Sequence, residues 1–540
     1  MIAQPKLRNS LDAMKGLSAK QPIDIPGFER WLREVPEQFP VTAWRVNGLD
    51  LWPLFSTSLV SLSILLNLGQ RRGGVRTGSQ VWRAGVISQY FMARRLARLS
   101  RNRAKPKLPQ DRLEGTIVFH GSSLHVRDFG GLAVIAPLDV PSALMRKQGH
   151  RCTLWIDDAD ADAPMLARTL TQPAYGLSAF LHRAAARSSR HDALPALQRL
   201  PGFKTWSELA AKELGLPYYF FRIWLARQIN LALSTANCYD TIFEERGVPA
   251  LLVILNAGFA STVALTFAAR RRGIDVIEVQ HGAESEASVT AKGSVPHFST
   301  YNTAPSALIS WELAERHDPN VLAMGPIGLH LPAIMSLPHA SDQAAQHAFR
   351  AALTRQAEEL KAYAEQVGAR KEVLVSLQPG DDGSWLRSFA SENRHGVLFW
   401  VRRHGADLLD PAHPKEIPVT GMIEAELAST CALPILLARS QVHLTRFSAV
   451  TIEAAAMGLP TIATDTYARQ LYERIVPPDL LHVDADLARA AARLQELIEE
   501  PSRGACSTLP PASRFAPFIA NFCRAPLSAT GKGEVPKHRA

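Results

Sequence analysis

The sequence predicts an α/β protein with two doubly wound parallel-sheet domains that face a cleft, preceded by an α-helical N-terminal extension. Three observations lead to this prediction. A chain of 540 residues is too long for one ordinary domain. From residue 115 onward, short continuous apolar runs alternate with helical patterns, which is typical of parallel strands covered by helices on both faces. Two such series occur, and the polar helical stretch 338–367 lies between them.

The composition excludes several classes of protein. Hydrophobic residues make up 46% and charged residues 20% of the chain, which argues against a disordered or fibrous protein. The five cysteines are scattered without a CxxC pair, so a disulfide scaffold is not indicated. The first thirty residues show no secretory signal, and we expect a cytoplasmic protein.

The predicted N-terminal extension, residues 1–114, contains one long uncharged stretch at 51–70. Its length fits a bilayer span, but its five Ser or Thr residues, an Asn and an early Pro fit such a span poorly. We therefore expect a core or interfacial helix, with Asp50 as its N-terminal cap and Pro53 in its first turn. A membrane-spanning helix is the alternative.

The positive charge of the chain is concentrated in residues 71–110, which contain eleven Lys or Arg and no Asp or Glu. The formal net charge of the whole chain is +10, so the remaining residues sum to −1. Residues 79–101 are predicted to form a basic helix. This helix either lies on an anionic membrane surface or is solvated and packed on its own domain. No nucleic-acid partner is expected, because no DNA- or RNA-binding module accompanies the charge.

The first α/β series is predicted to form a domain over residues 115–335. Within it, the pattern of residues 158–245 indicates a mostly helical insertion. Strands are expected at 116–121, 152–157, 251–255 and 275–279, with two more within 307–325, and a helix is expected at 261–272.

The second series is predicted to form a domain over residues 336–500. Residues 501–540 form a tail that is expected to be partly disordered. In the second domain, strands are expected in the segments 372–380, 396–405, 441–445 and 460–464, with a helix at 449–457.

Ligands of doubly wound sheets bind at the carboxyl ends of the strands, so the polar residues that follow the predicted strands are the site candidates. In the second domain, Ser448 stands where a helix begins, and Glu453 lies one turn further, suited to accept two ribose hydroxyls. Arg402, Arg403 and His404 follow another strand and can neutralise a phosphate. The alternative for Ser448 and Glu453 is an ordinary capped helix with a surface glutamate. The alternative for the basic residues 402–404 is a solvated turn.

The first domain offers candidates for a general base. His281 follows a strand together with Gln280, and a histidine that faces a cleft can take a proton from a hydroxyl near neutral pH. A structural histidine is the alternative. Glu284 lies in the same loop, and Asp128 lies beside Arg127 in the long polar loop after the strand 116–121. No metal-binding motif such as HExxH is present.

Four segments of the chain are the most specific: VIEVQHG, APSALISW, MGPIG and RFSAVTIEAAAMGLPTIATD. Together they resemble GT-B glycosyltransferases, in particular those of bacterial capsule and surface-polysaccharide biosynthesis. The resemblance covers roughly residues 115–500. In such enzymes an S-x4-E-A-x3-G-x-P element binds the phosphate and ribose of the nucleotide, which implies donor binding by Ser448, Thr451 and Glu453.

Two departures from the family pattern refine this implication. Retaining GT-B enzymes of the E-x7-E type carry a first glutamate at the position of Thr445, so its absence favours an inverting displacement. Sialyl- and Kdo-transferase-like enzymes carry an R-x-HP motif and a Ser-Ser or Ser-Thr pair. Here His404 precedes Gly405, and Ser448 follows Phe447. The donor is therefore either a CMP-sugar or a nucleoside diphosphate sugar.

The resemblance predicts an inverting glycosyltransferase that moves a sugar from a nucleotide-sugar donor to a lipid-linked or growing surface polysaccharide at the inner face of the cytoplasmic membrane. His281, or failing it Asp128 or Glu284, would deprotonate the acceptor, and Gln280 and Arg127 would help to bind it. The protein would also contact the anionic membrane surface through residues 71–110.

Stabilisation of the departing phosphate is assigned to Arg402, Arg403, His404 and the helix start at Ser448. Because these groups supply positive charge, neither a metal ion nor another cofactor is expected. Two alternatives stay open: a GT-B sugar-nucleotide epimerase, and a non-catalytic assembly partner that keeps the fold.

Overall fold

The computed structural model describes residues 25–71, 111–499 with short gaps, 509 and 512–523. The basic segment beyond Arg71, with the predicted helix 79–101, lies outside the described residues. The gaps are 130, 160–162, 179–180, 182–192, 256, 258–259, 281, 283–299, 313–317, 336–342, 379–380, 382, 391–395 and 405–421.

The N-terminal segment begins with helix α1 (Ile25–Gln38). A short hairpin follows, made of β1 (Arg45–Val46) and β2 (Leu49–Asp50). Its Asn-Gly turn has positive φ at both residues, 49° and 81°, which is the backbone of the tight turns that suit the twist of a hairpin. Helix α2 (Trp52–Arg71) comes next.

Helix α2 is a core helix, as predicted, but Asp50 is not its cap. The ring of Phe55 stacks on Trp206 of the first sheet domain at 5.6 Å between centroids. Asp50 belongs to β2, and its carboxylate accepts hydrogen bonds from Arg45 Nε (2.6 Å) and from the amide of Asn302 (2.7 Å). Tertiary partners therefore take the oxygens that a cap would need. Among the described helices, none combines the length and apolarity that a membrane span requires.

The first sheet domain contains nine strands in chain order among the described residues. They are β3 (Thr116–Gly121), β4 (Arg127–Phe129), β5 (Leu132–Val134), β6 (Arg151–Ile156), β7 (Ala174–Gly176), β8 (Leu251–Leu255), β9 (Val276–Val279), β10 (Ala307–Ser310) and β11 (Val321–Ala323). Seven of them form one parallel sheet in the order β11-β10-β9-β8-β3-β6-β7, while β4 and β5 form a separate antiparallel hairpin.

Both faces of this sheet are buried. In β3, Val118 packs in one hydrophobic cluster, and its neighbours Ile117 and Phe119 pack in another on the opposite face. The predicted helical insertion also contains β7, a half-buried edge strand whose three residues are too few for a periodic signal. The helices of this domain are α3 (Ala136–Lys147), α4 (Ala193–Gln198), α5 (Phe203–Glu213), α6 (Tyr218–Arg246), α7 (Ala260–Arg271) and α8 (Leu331–Ile334).

The second domain follows the long helix α9 (Gln343–Gln366). Its strands are β12 (Lys371–Ser376), β13 (Val397–Arg402), β14 (Ile423–Glu424), β15 (Val442–Thr445), β16 (Thr461–Ala463) and β17 (Leu481–Val483). They form a parallel sheet in the order β14-β13-β12-β15-β16-β17. Val373 and Leu374 of β12 pack in clusters on opposite faces. The predicted fold class, two doubly wound parallel-sheet domains, is therefore confirmed.

The helices of the second half include one that returns to the first domain. Phe515 and Ile519 of the last described helix are buried with Leu138 of α3, so the described part of the predicted tail packs on the first domain. These helices are α10 (Arg387–Ala390), α11 (Glu426–Thr430), α12 (Leu433–Arg439), α13 (Val450–Ala456), α14 (Tyr467–Tyr472), α15 (Leu487–Glu499) and α16 (Phe515–Ala520). Short 3-10 turns lie at Val41–Ala43, Ser123–His125, Pro164–Arg168, Ile327–His330, Ser384–Leu386, Pro478–Leu480 and Ala512–Arg514.

Candidate active site

A cleft between the two sheet domains brings strand ends from both halves of the chain together. Its cavity has a volume of about 330 Å³. The first domain contributes its β4–β5 hairpin and Trp311, helix α9 contributes Phe349, and the second domain contributes the ends of β12 and β13 and the start of α13. The predicted residues that line it are Arg127, Arg402, Arg403, His404, Ser448 and Glu453.

The charged side chains of this cleft are unbalanced. Among the described residues that line it, three are arginines and one, Glu453, is a carboxylate. Burial, and to a lesser extent the positive charge of Arg127, lowers the pKa of Arg402 to about 10, while the negative charge of Glu453 partly opposes both effects. Arg127 of the first domain and Arg402 of the second are therefore close enough to repel each other, and an anion bound between them would relieve that repulsion.

Arg402 is held in place by the backbone of the second domain. Its Nη1 donates hydrogen bonds to the carbonyl oxygens of Ala428 (3.2 Å) and Cys431 (2.5 Å), at the end of α11. The amide of Arg403 donates to Ser429 Oγ (3.1 Å), which anchors the chain just after β13. The guanidinium thus stays oriented without a ligand, as a preorganised anion site requires.

Glu453 lies partly exposed to the cleft, within α13. Burial raises the pKa of its carboxyl to about 7, although the nearby positive charge of Arg402 opposes the rise. Near neutral pH this carboxyl is therefore partly protonated. In its ionised form it is an acceptor for two hydroxyl donors.

The segment before α13 is tied to the sheet. Ser448 Oγ accepts a hydrogen bond from the amide of Val450 (3.3 Å), so this serine does satisfy a free amide at the helix start, although the helix begins one residue later than predicted. The amide of Ser448 donates to Thr445 Oγ1 (3.2 Å), which in turn donates to the carbonyl of Ser376 (2.7 Å). Thr451 is buried, and within the described residues its Oγ1 has no hydrogen-bond partner.

The site candidates of the first domain do not all lie in the cleft. Asp128 is exposed, accepts a hydrogen bond from the amide of Gly131 (2.8 Å) and does not line the cleft. The side chain of Gln280 is buried, accepting from the amide of Trp311 (2.7 Å) and donating to the carbonyl of Gly282 (2.7 Å). The side-chain amide of Gln280 is therefore hydrogen-bonded within its own domain, through both its oxygen and its nitrogen.

His281 and Glu284 lie outside the described residues. Their neighbour Gly282 is described, and a Cβ built on it would stand 3.9 Å from the Cβ of Ala449, which lines the cleft. The segment that follows β9 therefore reaches the start of α13.

No group of three or more His, Cys, Asp or Glu side chains placed to hold a metal ion occurs in the described part of the chain.

Several lining residues were not among the predicted site residues. His125 lies beside the arginines, and its pKa falls to about 4, first because of burial and then because of the charge of Arg127. It is therefore neutral at pH 7. Ser376, at the carboxyl end of β12, and Trp311, just after β10, also line the cleft. The rule of polar residues at strand ends could have found Ser376, whereas Trp311 is a buried aromatic residue that the rule does not cover.

No protein-family model and no curated protein matches this sequence. Solved structures with a similar fold include a UDP-GlcNAc 2-epimerase from Neisseria meningitidis bound to UDP-GlcNAc, with a TM-score of 0.43 and 10% identity over 75% of this chain and 98% of that chain. MurG from Acinetobacter baumannii has a TM-score of 0.39 and 10% identity, over 76% of this chain and 99% of that chain. The spinosyn rhamnosyltransferase SpnG in complex with spinosyn aglycone has a TM-score of 0.38 and 11% identity, over 75% of this chain and 96% of that chain. At these TM-scores the likeness is loose.

Proposed function

We propose that this protein is an inverting GT-B glycosyltransferase that uses a nucleotide-activated sugar as donor. The observation that carries the proposal is the grouping of Glu453 with Arg402 in the cleft, with Arg127 approaching from the opposite domain. A nucleotide sugar complements this grouping, because its phosphate pairs with guanidinium groups and its ribose hydroxyls with a carboxylate.

Arg402 is the residue to which we assign stabilisation of the departing nucleotide. Its guanidinium is fixed by two backbone carbonyls, so it does not need to reorganise when negative charge develops on the leaving phosphate. Arg127, Arg403, His404 and Ser448 complete the donor site from the positions where they line the cleft. A phosphate bound here would offset the repulsion between Arg127 and Arg402.

We assign the base to His281, with Glu284 as the substitute. The position of Gly282 beside Ala449 supports this assignment, because Gly282 directly follows His281 in the chain. In the proposed single displacement, His281 takes the proton of the acceptor hydroxyl while the acceptor oxygen bonds to the anomeric carbon. The bond from that carbon to the phosphate oxygen breaks, and the nucleotide leaves with the electron pair. Asp128 is not retained as base because it does not line the cleft.

The inverting course is supported by Thr445. At the position where a retaining enzyme of the E-x7-E type carries a glutamate, the hydroxyl of Thr445 is bonded to the carbonyl of Ser376 inside the sheet. This buried threonine offers no carboxylate to the anomeric carbon. Its role in this chain is to hold the segment before Ser448.

The acceptor that we propose is a lipid-linked or growing surface polysaccharide at the inner face of the cytoplasmic membrane. Two observations support it. The basic segment 71–110 suits an anionic lipid surface. The cleft is also lined by apolar side chains that suit the apolar part of such an acceptor, among them Phe129, Val134, Leu331 and Leu433.

The experiment that tests this function is a thermal-shift screen of the full chain against CMP, CDP, UDP and GDP. A nucleotide that binds the folded state raises the unfolding midpoint as RT ln(1 + [L]/Kd). We expect one nucleotide to stabilise the protein, and we expect His281→Ala to keep this binding and abolish transfer. Near-normal transfer by His281→Ala would show that the base is wrongly assigned. Isomerisation of the sugar nucleotide without any acceptor would favour an epimerase, and no stabilisation by any nucleotide would favour a non-catalytic partner.

A further inference from the structure

One edge of the cleft contains contacts between the domains that the proposed reaction does not use. Trp311 follows β10 of the first sheet, yet its indole is only 4% exposed and packs in a cluster with Ile452, Ala455 and Tyr472 of the second domain. The backbone amide of Trp311 donates to Gln280 Oε1 at 2.7 Å. A single residue therefore joins the segment after β9 to the core behind α13.

Helix α1 makes a second contact of the same kind. The Tyr467 hydroxyl, on α14 of the second domain, donates to Glu29 Oε1 at 3.1 Å, and Glu29 is buried. The ring of Phe447 packs edge-on against Tyr467 at 5.4 Å between centroids, and its carbonyl accepts from the Tyr472 hydroxyl at 2.6 Å. Tyr467 and Tyr472 thus both hold Phe447, the residue directly before Ser448.

We propose that Glu29 of helix α1 and Trp311 of the first domain are positioning residues that hold the donor-binding segment 446–450 of the second domain. The contacts themselves do not depend on the proposed function, but their consequence for donor binding rests on it. A segment that is already ordered loses less freedom when a nucleotide binds, so this support increases affinity through the segment 446–450. Helix α1, which belongs to neither sheet, thereby acquires a role in the site.

The first test is amide hydrogen exchange of the full chain without ligand. In the wild type, the amides of Val450, Thr451 and Ile452 donate to Ser448 Oγ, Ser448 O and Ala449 O. We expect Tyr467→Phe to accelerate their exchange about tenfold, because a hydrogen bond to a charged acceptor is lost. Glu29→Gln keeps an acceptor and is expected to have a smaller effect. Glu34→Gln, an exposed site on the same helix, is the matched control and should change nothing.

A double-mutant cycle separates this pair from general destabilisation. If Glu29 and Tyr467 act through each other, the double variant Glu29→Gln/Tyr467→Phe is no worse than Tyr467→Phe alone. Trp311→Phe keeps an apolar ring in the cluster. Its amide exchange rates in residues 450–452 are therefore expected to lie closer to those of the wild type than the rates of Trp311→Leu. Additive effects in the cycle, or unchanged exchange of the Val450, Thr451 and Ile452 amides in Tyr467→Phe, would overturn the proposal.

The second test uses whichever of CMP, CDP, UDP and GDP stabilises the wild type. Its dissociation constant is expected to rise about tenfold in Tyr467→Phe and to stay unchanged in Glu34→Gln. Faster exchange combined with an unchanged dissociation constant would overturn the positioning role. If no nucleotide binds the wild type, the proposed function fails, while coupled acceleration of exchange still supports the contact between the domains.

Discussion

The carboxyl ends of the two sheets carry polar residues of similar kinds but use them differently. In the second domain, Arg402, Ser448 and Glu453 face the cleft. In the first domain, His120 at the end of β3 places its Nε2 2.6 Å from Asp157 Oδ1, and both side chains are turned to partners inside the domain. A polar residue after a strand is therefore a good site candidate only where neighbouring elements do not already use its hydrogen-bonding groups.

The first domain nevertheless contributes to the cleft through its β4–β5 hairpin, which supplies Arg127. It also supplies the contact at Trp311 behind the segment 446–450, and helix α1 supplies the contact at Glu29. We infer that the second domain binds most of the donor, while the first domain lines the opposite side of the cleft and supports the site. Four changes test this comparison, from the largest expected effect to the smallest.

Asp157→Ala should reduce the free energy of unfolding by about 3 kcal/mol, because it leaves the buried His120 and the Tyr239 hydroxyl without their shared acceptor. Denaturant unfolding measures this loss. The nucleotide affinity of the folded variant should stay that of the wild type. A variant of normal stability that had lost transfer would instead place Asp157 in the chemistry and break the comparison.

Glu453→Gln should weaken nucleotide binding about 30-fold, or about 2 kcal/mol, because an amide replaces the carboxylate that accepts the ribose hydroxyls. Isothermal titration gives the dissociation constant. Glu473→Gln, an exposed change on the same domain, is the control. An affinity equal to that of the control would remove Glu453 from the donor site.

The same residue predicts a pH dependence. Because the pKa of Glu453 lies near 7, above its ordinary value, lowering the pH from 8 to 6 protonates it and should weaken nucleotide binding. Glu453→Gln removes this titration, so the difference between wild type and variant should shrink towards pH 6. A difference that does not change with pH would contradict the assignment.

Arg127→Gln should weaken nucleotide binding about tenfold, because one guanidinium partner of the phosphate is lost from the opposite domain. Arg168→Gln, an exposed arginine of the same domain, should leave the affinity unchanged. Equal nucleotide affinities of the two variants would confine the donor site to the second domain and widen the difference between the two domains.

Asp128→Ala should have the smallest effect, below about 0.5 kcal/mol in unfolding free energy and within roughly twofold in transfer rate, because its carboxylate is exposed. A transfer assay with the full chain checks this. Loss of transfer at normal stability would restore Asp128 as a candidate base.

Much of this architecture follows from local pattern. The mainly apolar runs 116–121 and 251–255 become buried parallel strands with the predicted limits, since a strand covered on both faces buries the side chains of both alternating sets. The serine before α13 was recognisable for a similar reason, because the free amides at a helix start need a side-chain acceptor close in sequence; Ser448 accepts from the amide of Val450, although Ala449 holds the N-cap position. Strand β7 was missed because three half-buried residues carry no period.

The sequence by itself determined the two sheet domains and the strand ends where a site could lie, because both depend on residues within a few positions of one another. Only the tertiary structure decided which of those residues face the cleft. Gln280 is hydrogen-bonded to Trp311, which is 31 residues away, and Tyr467 is hydrogen-bonded to Glu29, which is 438 residues away. Whether a polar group is available to a ligand depends on such distant partners, and no local pattern encodes them.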